Sequence, residues 1–567
     1  MKKFSNISTR DDLAELLGIK KSVLTYVLYK AKVDSFYTSF EIPKKTGGTR
    51  QIDAPTGALK SIQRRLAYAL WEYQKTLYAE KNIHASISHA FEKKKGIITN
   101  AQIHRNKYLV LNLDLEHFFE SFHFGRVSGY FEKNKDFLLP HDVAIIVAQL
   151  TCYQGHLPQG APSSPIITNL ICQIFDMRIL KIAKKYKLDY TRYADDLTFS
   201  THDRSFAEKK KLFIEELEAE IVKAGFAINQ KKTRMCLRDS QQMVTGLVVN
   251  QKINVNAEYC RTTRAMAHQL YTTGSFQNDG REGTLAQLEG RFSFINQLDH
   301  YNNKIDGEKH SFRTLNGREK QYRKFLFYRY FFAHEKPLIV TEGKTDIRYL
   351  KAALKKLWMF YPELITKENG GRFKYKVAFL RKTKRLSYFM DIAQDGASTM
   401  KNIYNYFSEE SNRDYPNFYT MFSKIRTPSQ QQPVVLLFDN ETQTKRPLKH
   451  FMDYAKINDV DKENLQATLF LRLHPLSNLY LLTNPLVENK KECEIEHLFS
   501  EETRAQIIGG KQLCLKDDFD IQKFYGKEIF SQHISQNYTQ IDFDGFKPLL
   551  NALLQIVRES SRVQNGQ

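Results

Sequence analysis

Apolar positions recur along this chain in two rhythms, and the place where they restart divides it. Leu13, Leu16, Leu17, Leu24, Val27 and Leu28 fall at helical spacing, so residues 1–35 are predicted to form short helices. Phe36 to Pro55 is β-rich and broken by the turn Lys45-Thr46-Gly47-Gly48. Helix returns over Ala58–Tyr78. From Tyr108 to Ser200 short apolar strands alternate with helical stretches, the pattern of an α+β layer. Residues 255–330 read as largely helical, with Leu285, Leu288, Phe292, Phe294, Ile295 and Leu298 forming a stripe. A second start follows Pro337. Leu338-Ile339-Val340-Thr341 has the unbroken apolar run of a buried parallel strand. A helix then carries Ile347, Leu350, Leu354 and Leu357 on one face, and Val434–Phe438 is another apolar run. That β–α–β order predicts a small α/β domain with its boundary near residue 335.

Length and charge narrow the picture. The 567 residues exceed one hydrophobic core, so several domains are expected. Hydrophobic residues at 42% supply those cores and exclude global disorder. Lys and Arg number 85 against 63 Asp and Glu, a net +22 that calls for a polyanionic partner, because each neutralised phosphate releases a counterion. The six cysteines are scattered without a CxxC pair, which argues against a disulfide framework or a cysteine metal site and for a reducing compartment. The amino terminus has no apolar signal core, and no run approaches the roughly 18 apolar residues of a membrane span. A cytoplasmic protein without a membrane partner is the expectation.

Three acids carry the chemistry of the α+β region. Tyr193-Ala194-Asp195-Asp196 precedes the strand-like Leu197-Thr198-Phe199-Ser200, placing two adjacent carboxylates at the turn of a hairpin. Like charges that close are costly unless a cation neutralises them. Asp114 ends the run Tyr108-Leu109-Val110-Leu111-Asn112-Leu113. Three carboxylates delivered by two strands are what a two-metal phosphoryl-transfer site needs, with Mg²⁺ activating the attacking hydroxyl and stabilising pyrophosphate departure. Taken alone, the Tyr-Ala-Asp-Asp tetrad is equally an ordinary solvated turn.

Between the acid sites lies Leu157-Pro158-Gln159-Gly160-Ala161-Pro162-Ser163-Ser164-Pro165. In order and spacing these segments resemble the reverse transcriptase family. The resemblance implies an RNA-directed DNA polymerase with the α+β right-hand fold of fingers, palm and thumb. It implies that Gln159 and Gly160 lie against the nucleotide and template, Gly160 permitting close backbone approach. Phe119 takes the place of the aromatic gate that selects deoxynucleotides, with core packing as the alternative because Phe118 is an equal neighbour. Ile42–Arg50 resembles the fingers hairpin, where Lys45 and Arg50 would hold the triphosphate. Gly225–Thr233 matches the motif after the catalytic hairpin, and Lys232 there either approaches the leaving phosphates or lies on the surface. Asn100-Ala101-Gln102-Ile103-His104 and Val244-Thr245-Gly246 resemble the bacterial retron branch. That likeness covers about residues 10–330. It implies a noncoding RNA partner, dNTP substrates and a branched RNA–DNA product (msDNA) primed from a guanosine 2′-hydroxyl. A group II intron-like enzyme is the alternative.

In the second region Glu342-Gly343-Lys344-Thr345-Asp346 sits at a strand-to-helix turn, with Glu342 at the carboxyl end of a parallel strand, where α/β domains place ligands. Asp439 and Glu441 end the next strand and, being two apart, are predicted to share a face. Convergent carboxylates suggest Mg²⁺ or Mn²⁺. The pattern resembles the Toprim domain of topoisomerases, primases and overcoming-lysogenization-defect nucleases, with Glu441 where an Asp is expected and Glu494 or Glu496 as a further acid. It implies a metal-dependent nuclease acting on cellular or phage nucleic acid as an effector of anti-phage defence. A non-catalytic nucleic-acid or partner-binding module is the alternative. Tyr404, Tyr406, Tyr415 and Tyr419, in a basic stretch over 367–426, suit single-stranded nucleic acid or an ordinary solvated face. The expected order is fingers and palm over 1–254, a helical thumb over 255–334 and a Toprim-like domain over 335–567. Self-association is left open.

Overall fold

Alternation along one strand sets up the first half of the structure. Leu109, Leu111, Leu113 and Leu115 all enter the hydrophobic core, so the period of two turns Asn112 and Asp114 to the opposite face. A slip of one residue would put the acid into the core and the leucines into water. The computed structural model describes residues 4–44, 47–83, 87–393, 398–409, 414–426, 431–442, 446–473, 478–487, 490–516 and 518–565, which form two compact units, 1–256 and 257–567.

The first unit opens with the expected short helices, Arg10–Leu16 and Lys21–Thr25, which bury Leu13 and Leu24. Tyr37–Pro43 (β1) and Thr49–Pro55 (β2) pair as an antiparallel hairpin. Gly57–Glu80 (α1) and Ile97–Ile103 (α2) precede the central strand Leu109–Glu116 (β3). Ser164–Lys185 (α3) then leads to Asp189–Tyr193 (β4) and Asp196–Thr201 (β5), followed by Ala227–Ile228 (β6) and Arg234–Leu237 (β7). The sheet runs β4-β5-β3-β6, with β7 also on β3, and every pairing is antiparallel. Met243–Val244 (β8) and Leu247–Val248 (β9) form a tight hairpin whose turn residues Thr245 and Gly246 have φ of +46° and +81°. Asn112 Nδ2 fastens it to the sheet by donating to the Met243 carbonyl at 2.9 Å.

The second unit begins with Ala257–Thr273 (α4), Leu285–Asp306 (α5) and Gly317–Phe327 (α6), which runs on into a π-helical turn over Tyr328–Phe332. Leu338–Thr341 (β10) leads into Lys344–Lys356 (α7), then Ala378–Phe379 (β11), Val434–Phe438 (β12), Phe470–Arg472 (β13) and Leu479–Thr483 (β14). The sheet order is β11-β10-β12-β14-β13, parallel except for the edge strand β13. Lys527–Gln536 (α8) and Lys547–Asn565 (α9) close the chain.

Both faces of this sheet are covered, which is why its strands are apolar at every position. Ile339, Val435, Leu437, Tyr480 and Leu482 pack with Tyr349, Leu350, Phe530 and Leu549. Val340, Leu436, Phe438 and Leu481 pack on the other side with Leu270, Leu288, Phe292 and Phe325 of the preceding helices. No break in packing therefore falls at 334/335: the helices read as a thumb share a core with the α/β sheet. Tyr406, Tyr415 and Tyr419 are buried in that same core, so their rings are structural rather than a base-stacking face. Among the described residues no helix is long and apolar enough to cross a membrane.

Candidate active site

Register alone brings the three acids of the first unit together. Asp114 on β3 lies directly across from Asp196 on β5, and the Leu115 amide donates to the Asp195 carbonyl at 3.0 Å. Ala194, at the turn, has φ +58°, a left-handed conformation that costs a non-glycine residue on the order of 1 kcal/mol. Arg192 holds it there. Its guanidinium is fully buried, with Nε and Nη2 each 2.8 Å from the Asp176 carboxylate, while Nη1 donates to the Ala194 carbonyl at 3.2 Å. Nη2 also reaches Asn169 Oδ1 at 3.2 Å, and the Tyr190 hydroxyl donates to Asp176 at 3.0 Å. The sequence signal for this network was a cation inside the strand pattern Tyr190-Thr191-Arg192, and its partner on α3 lay beyond local reading.

Burial raises Asp195, with Asp114 adding repulsion. Asp196 is pushed up to about 7 by desolvation and then by Asp195 and Asp114. Lys232 answers part of that charge, donating to both Asp114 oxygens at 2.9 Å, and this bond raises its own pKa. The acids open onto a cavity of about 450 Å³ also lined by Arg50, Phe119, Gln159 and Lys232. The two adjacent aromatics part company here. Phe118 is 4% exposed and packs on Phe122 and Phe226, whereas the half-buried Phe119 lines the cavity.

Gly160 serves the protein itself. At φ +117° an added Cβ would lie 2.8 Å from Ile52 Cγ2 and 3.0 Å from the Asp53 carbonyl, so the close approach it permits is to β2 rather than to a ligand. The Asp53 amide donates to the Gln159 carbonyl at 2.8 Å and completes that junction. Lys45 lies outside the described residues.

The two retron-like segments sit together behind the sheet. His104 is fully buried, with Nδ1 2.7 Å from Ser200 Oγ on β5 and Nε2 2.7 Å from Thr191 Oγ1 on β4. Burial lowers its pKa to about 3, so it is a neutral tether. Asn100 is also fully buried, and Thr245 Oγ1 donates to the Ile97 carbonyl of α2 at 3.4 Å, beside the buried Val244 and Gly246 of the hairpin turn.

A second acidic group crowds the carboxyl ends of β10 and β12. Glu342 Oε1 accepts the Asp439 amide at 3.0 Å, and Asp346 accepts the Gly343 amide at 2.9 Å. Burial raises Glu342 to about 7, and it raises Asp346 and Asp439, the last reinforced by Asp346, Glu342 and Glu496. Asp439 and Glu441 do not share a strand face, because β12 ends at Phe438 and the two lie in the turn beyond it. Asp439 Oδ1 accepts from Asn484 Nδ2 at 2.7 Å and the Ile495 amide at 2.8 Å, whereas Glu441 lies 3.6 Å from Arg446. The sequence reading missed Lys527, whose ammonium lies 3.2 Å from Glu494 and 3.4 Å from Glu496. Against the pull of burial, those carboxylates hold it protonated above its usual range.

As the side chains stand, no three Asp, Glu, His or Cys groups converge closely enough to hold a metal ion among the described residues. Lys232 occupies Asp114, and hydrogen bonds occupy Asp439. The donor chemistry itself, desolvated carboxylates that repel one another, fits a hard divalent cation.

The family described as reverse transcriptase (RNA-dependent DNA polymerase) matches residues 42–256. Retron Mx65 reverse transcriptase of Myxococcus xanthus is 32% identical over 308 residues, 51% of this chain and 68% of that one. Retron Ec86 reverse transcriptase of Escherichia coli is 33% identical over 291 residues, 51% of this chain and 84% of that one. Retron Mx162 reverse transcriptase of Myxococcus xanthus is 30% identical and is covered over 65% of its length. Among solved structures, apo telomerase from Candida Tropicalis aligns with a TM-score of 0.29 at 15% identity over 45% of this chain and 63% of that one, too slight a likeness to support an argument.

Proposed function

Because the chain belongs to the retron reverse transcriptase family, we propose that the cleft at Asp114, Asp195 and Asp196 is the polymerase centre with which it copies a partner noncoding RNA into DNA. Its activity is that of an RNA-directed DNA polymerase, with an RNA template and dNTPs as partners. The product in this reading is a branched RNA–DNA hybrid. One observation carries it: Asp114 is the cross-strand partner of Asp196 at the edge of a polar cavity large enough for a nucleotide.

Asp114, Asp195 and Asp196 would hold two Mg²⁺, which supply activation of the attacking hydroxyl and charge neutralisation at the departing pyrophosphate. The remaining steps belong to the chain's own side chains. Lys232 exchanges Asp114 for the leaving phosphates, and Arg50 at the cavity wall binds the triphosphate. The Phe119 ring at the cavity wall meets the sugar and excludes a 2′-hydroxyl. Gln159, fixed through its carbonyl to β2, borders the nucleotide. Extension of a primed RNA template with labelled dNTPs tests the assignment, with Asp195→Asn as control. No extension by the wild-type protein would overturn it.

We further propose that residues 1–254 act as fingers and palm, 255–334 as thumb and 335–567 as a Toprim-like nuclease. Glu342, Asp439 and Glu441 would hold Mg²⁺ or Mn²⁺ to hydrolyse cellular or phage nucleic acid in anti-phage defence. Support comes from buried acids with raised pKa values at the carboxyl ends of parallel strands. The turn of Glu441 toward Arg446 favours the competing reading, a non-catalytic binding module. Glu342→Gln and Asp439→Asn separate the two: nuclease activity or toxicity unchanged by both substitutions defeats the hydrolase.

A further inference from the structure

Away from both acidic groups, the second unit contains a cavity of about 300 Å³ whose wall is built from the chemistry of base and phosphate recognition. Tyr271, Tyr328 and Phe332 line it, together with His334, Arg426 and Gln432. Tyr328 and Phe332 come from the π-helical turn, a rare backbone form found often at functional sites. Arg426 packs its guanidinium on Gly274, which has φ +86°, and a Cβ at that position would overlap the guanidinium nitrogens. Among the described residues no carboxylate pairs with Arg426. Tyr271 is 4% exposed and its hydroxyl has no hydrogen-bond partner among the described residues, nor has Nδ1 of His334. Burial lowers the His334 pKa to about 4, so the imidazole is neutral and offers a donor and an acceptor.

The cavity lies at the amino-terminal ends of the strands. His334 precedes β10, its Nε2 is 3.4 Å from the carbonyl of Pro433, and Pro433 precedes β12. Glu342 and Asp439 follow those strands at their opposite ends, so this cavity stands independently of the nuclease reading.

We propose that this cavity binds a nucleotide, its base against the rings of Tyr271, Tyr328 and Phe332 and its phosphate on Arg426. Aromatic faces accept any base by stacking. A planar guanidinium binds phosphate through two parallel hydrogen bonds. The orphaned phenol and imidazole supply polar contacts for a base edge. A divalent cation finds no set of carboxylates here. The nucleotide comes either free or as one unit of a nucleic acid strand, since the recognising chemistry is shared.

The test is photolabelling of the full-length protein with 8-azido-ATP in EDTA, with adducts mapped by peptide mass spectrometry. The expected result is label on peptides containing Tyr271 or Tyr328–Phe332, chased by unlabelled ATP. Arg426→Gln should reduce that label about tenfold, as befits loss of one charge-assisted phosphate contact, with Arg426→Lys retaining most of it. Stronger competition by a single-stranded oligonucleotide than by ATP assigns the nucleotide to a strand; the reverse assigns it to the free pool. Absence of label from these peptides in the wild-type protein overturns the proposal. So does label undiminished by Arg426→Gln, or inorganic phosphate competing as well as ATP, which would leave an anion site only.

Discussion

Arg192→Met isolates what keeps the acidic turn in place. The substitution preserves an apolar stem but strands Asp176, whose side chain is 7% exposed, without its cation. Breaking a buried ion pair on one side costs about 3–5 kcal/mol. The Ala194 carbonyl also loses its donor, worth about 1 kcal/mol. The combined loss is a large part of the roughly 5–15 kcal/mol that holds a typical domain together. Thermal unfolding of the full chain should show a transition lowered by about 10–20 °C. Hydrogen exchange should locate the loosening at residues 193–197, and primer extension should fall. Adding Asp176→Asn removes the stranded charge, so most of the stability should return while extension stays low, because Ala194 still lacks its donor. A single variant that melts within about 2 °C of the parent would refute the reasoning, as would a double variant that regains extension.

Gly160→Ala should cost about 2–5 kcal/mol from the left-handed backbone and the clash with Ile52, lowering the melting temperature and raising the Km for dNTPs; Gln159→Ala, without the clash, should affect Km alone. The Mg²⁺ concentration for half-maximal extension should rise by up to about tenfold per unit as pH falls below about 7, because Asp196 must lose its proton to bind metal, and a flat profile between about pH 8 and about pH 6 argues against that role. Without metal the same group, protonated in the fold up to about 7 but ionised near 3.9 when unfolded, gives a stabilising contribution that is lost as pH rises between those values. His104 runs the other way: the unfolded imidazole gains a proton below about 6.5 and the folded one near 3, so stability falls on acidification by up to about 1.4 kcal/mol per unit, a slope that His104→Gln should remove from urea melts. Phe119→Ala should relax discrimination against ribonucleotides by roughly tenfold or more in single-nucleotide incorporation, and unchanged discrimination would return Phe119 to a packing role.

What the sequence made legible was local or periodic. Alternation along Leu109–Leu115 and the tetrad ending at Asp196 were enough to place Asp114 opposite Asp196, because strand pairing fixes that contact. The unbroken run Val434–Phe438 likewise announced a strand covered on both faces. Contacts between distant segments were not legible. Asp176, Asn169 and Arg192 meet only once α3 packs beside β4, and the partner of Lys232 is 118 residues away. Glu441 misled because the period-two rule holds only within a strand, and β12 stops at Phe438. Lys527 carried no local motif at all, and its role rests on folding back beside Glu494 and Glu496.

The helices α4 to α6 and the parallel sheet were built as one body, so the segment after the polymerase motifs is not an interchangeable cassette. A splice at residue 335 would leave Phe292, Phe325 and Leu326 facing water on one product and half a sheet bare on the other. Any natural or engineered swap of this effector half has to cut ahead of Ala257 and carry the helices along, which ties the lineage of the carboxy-terminal region to that of the helices before it.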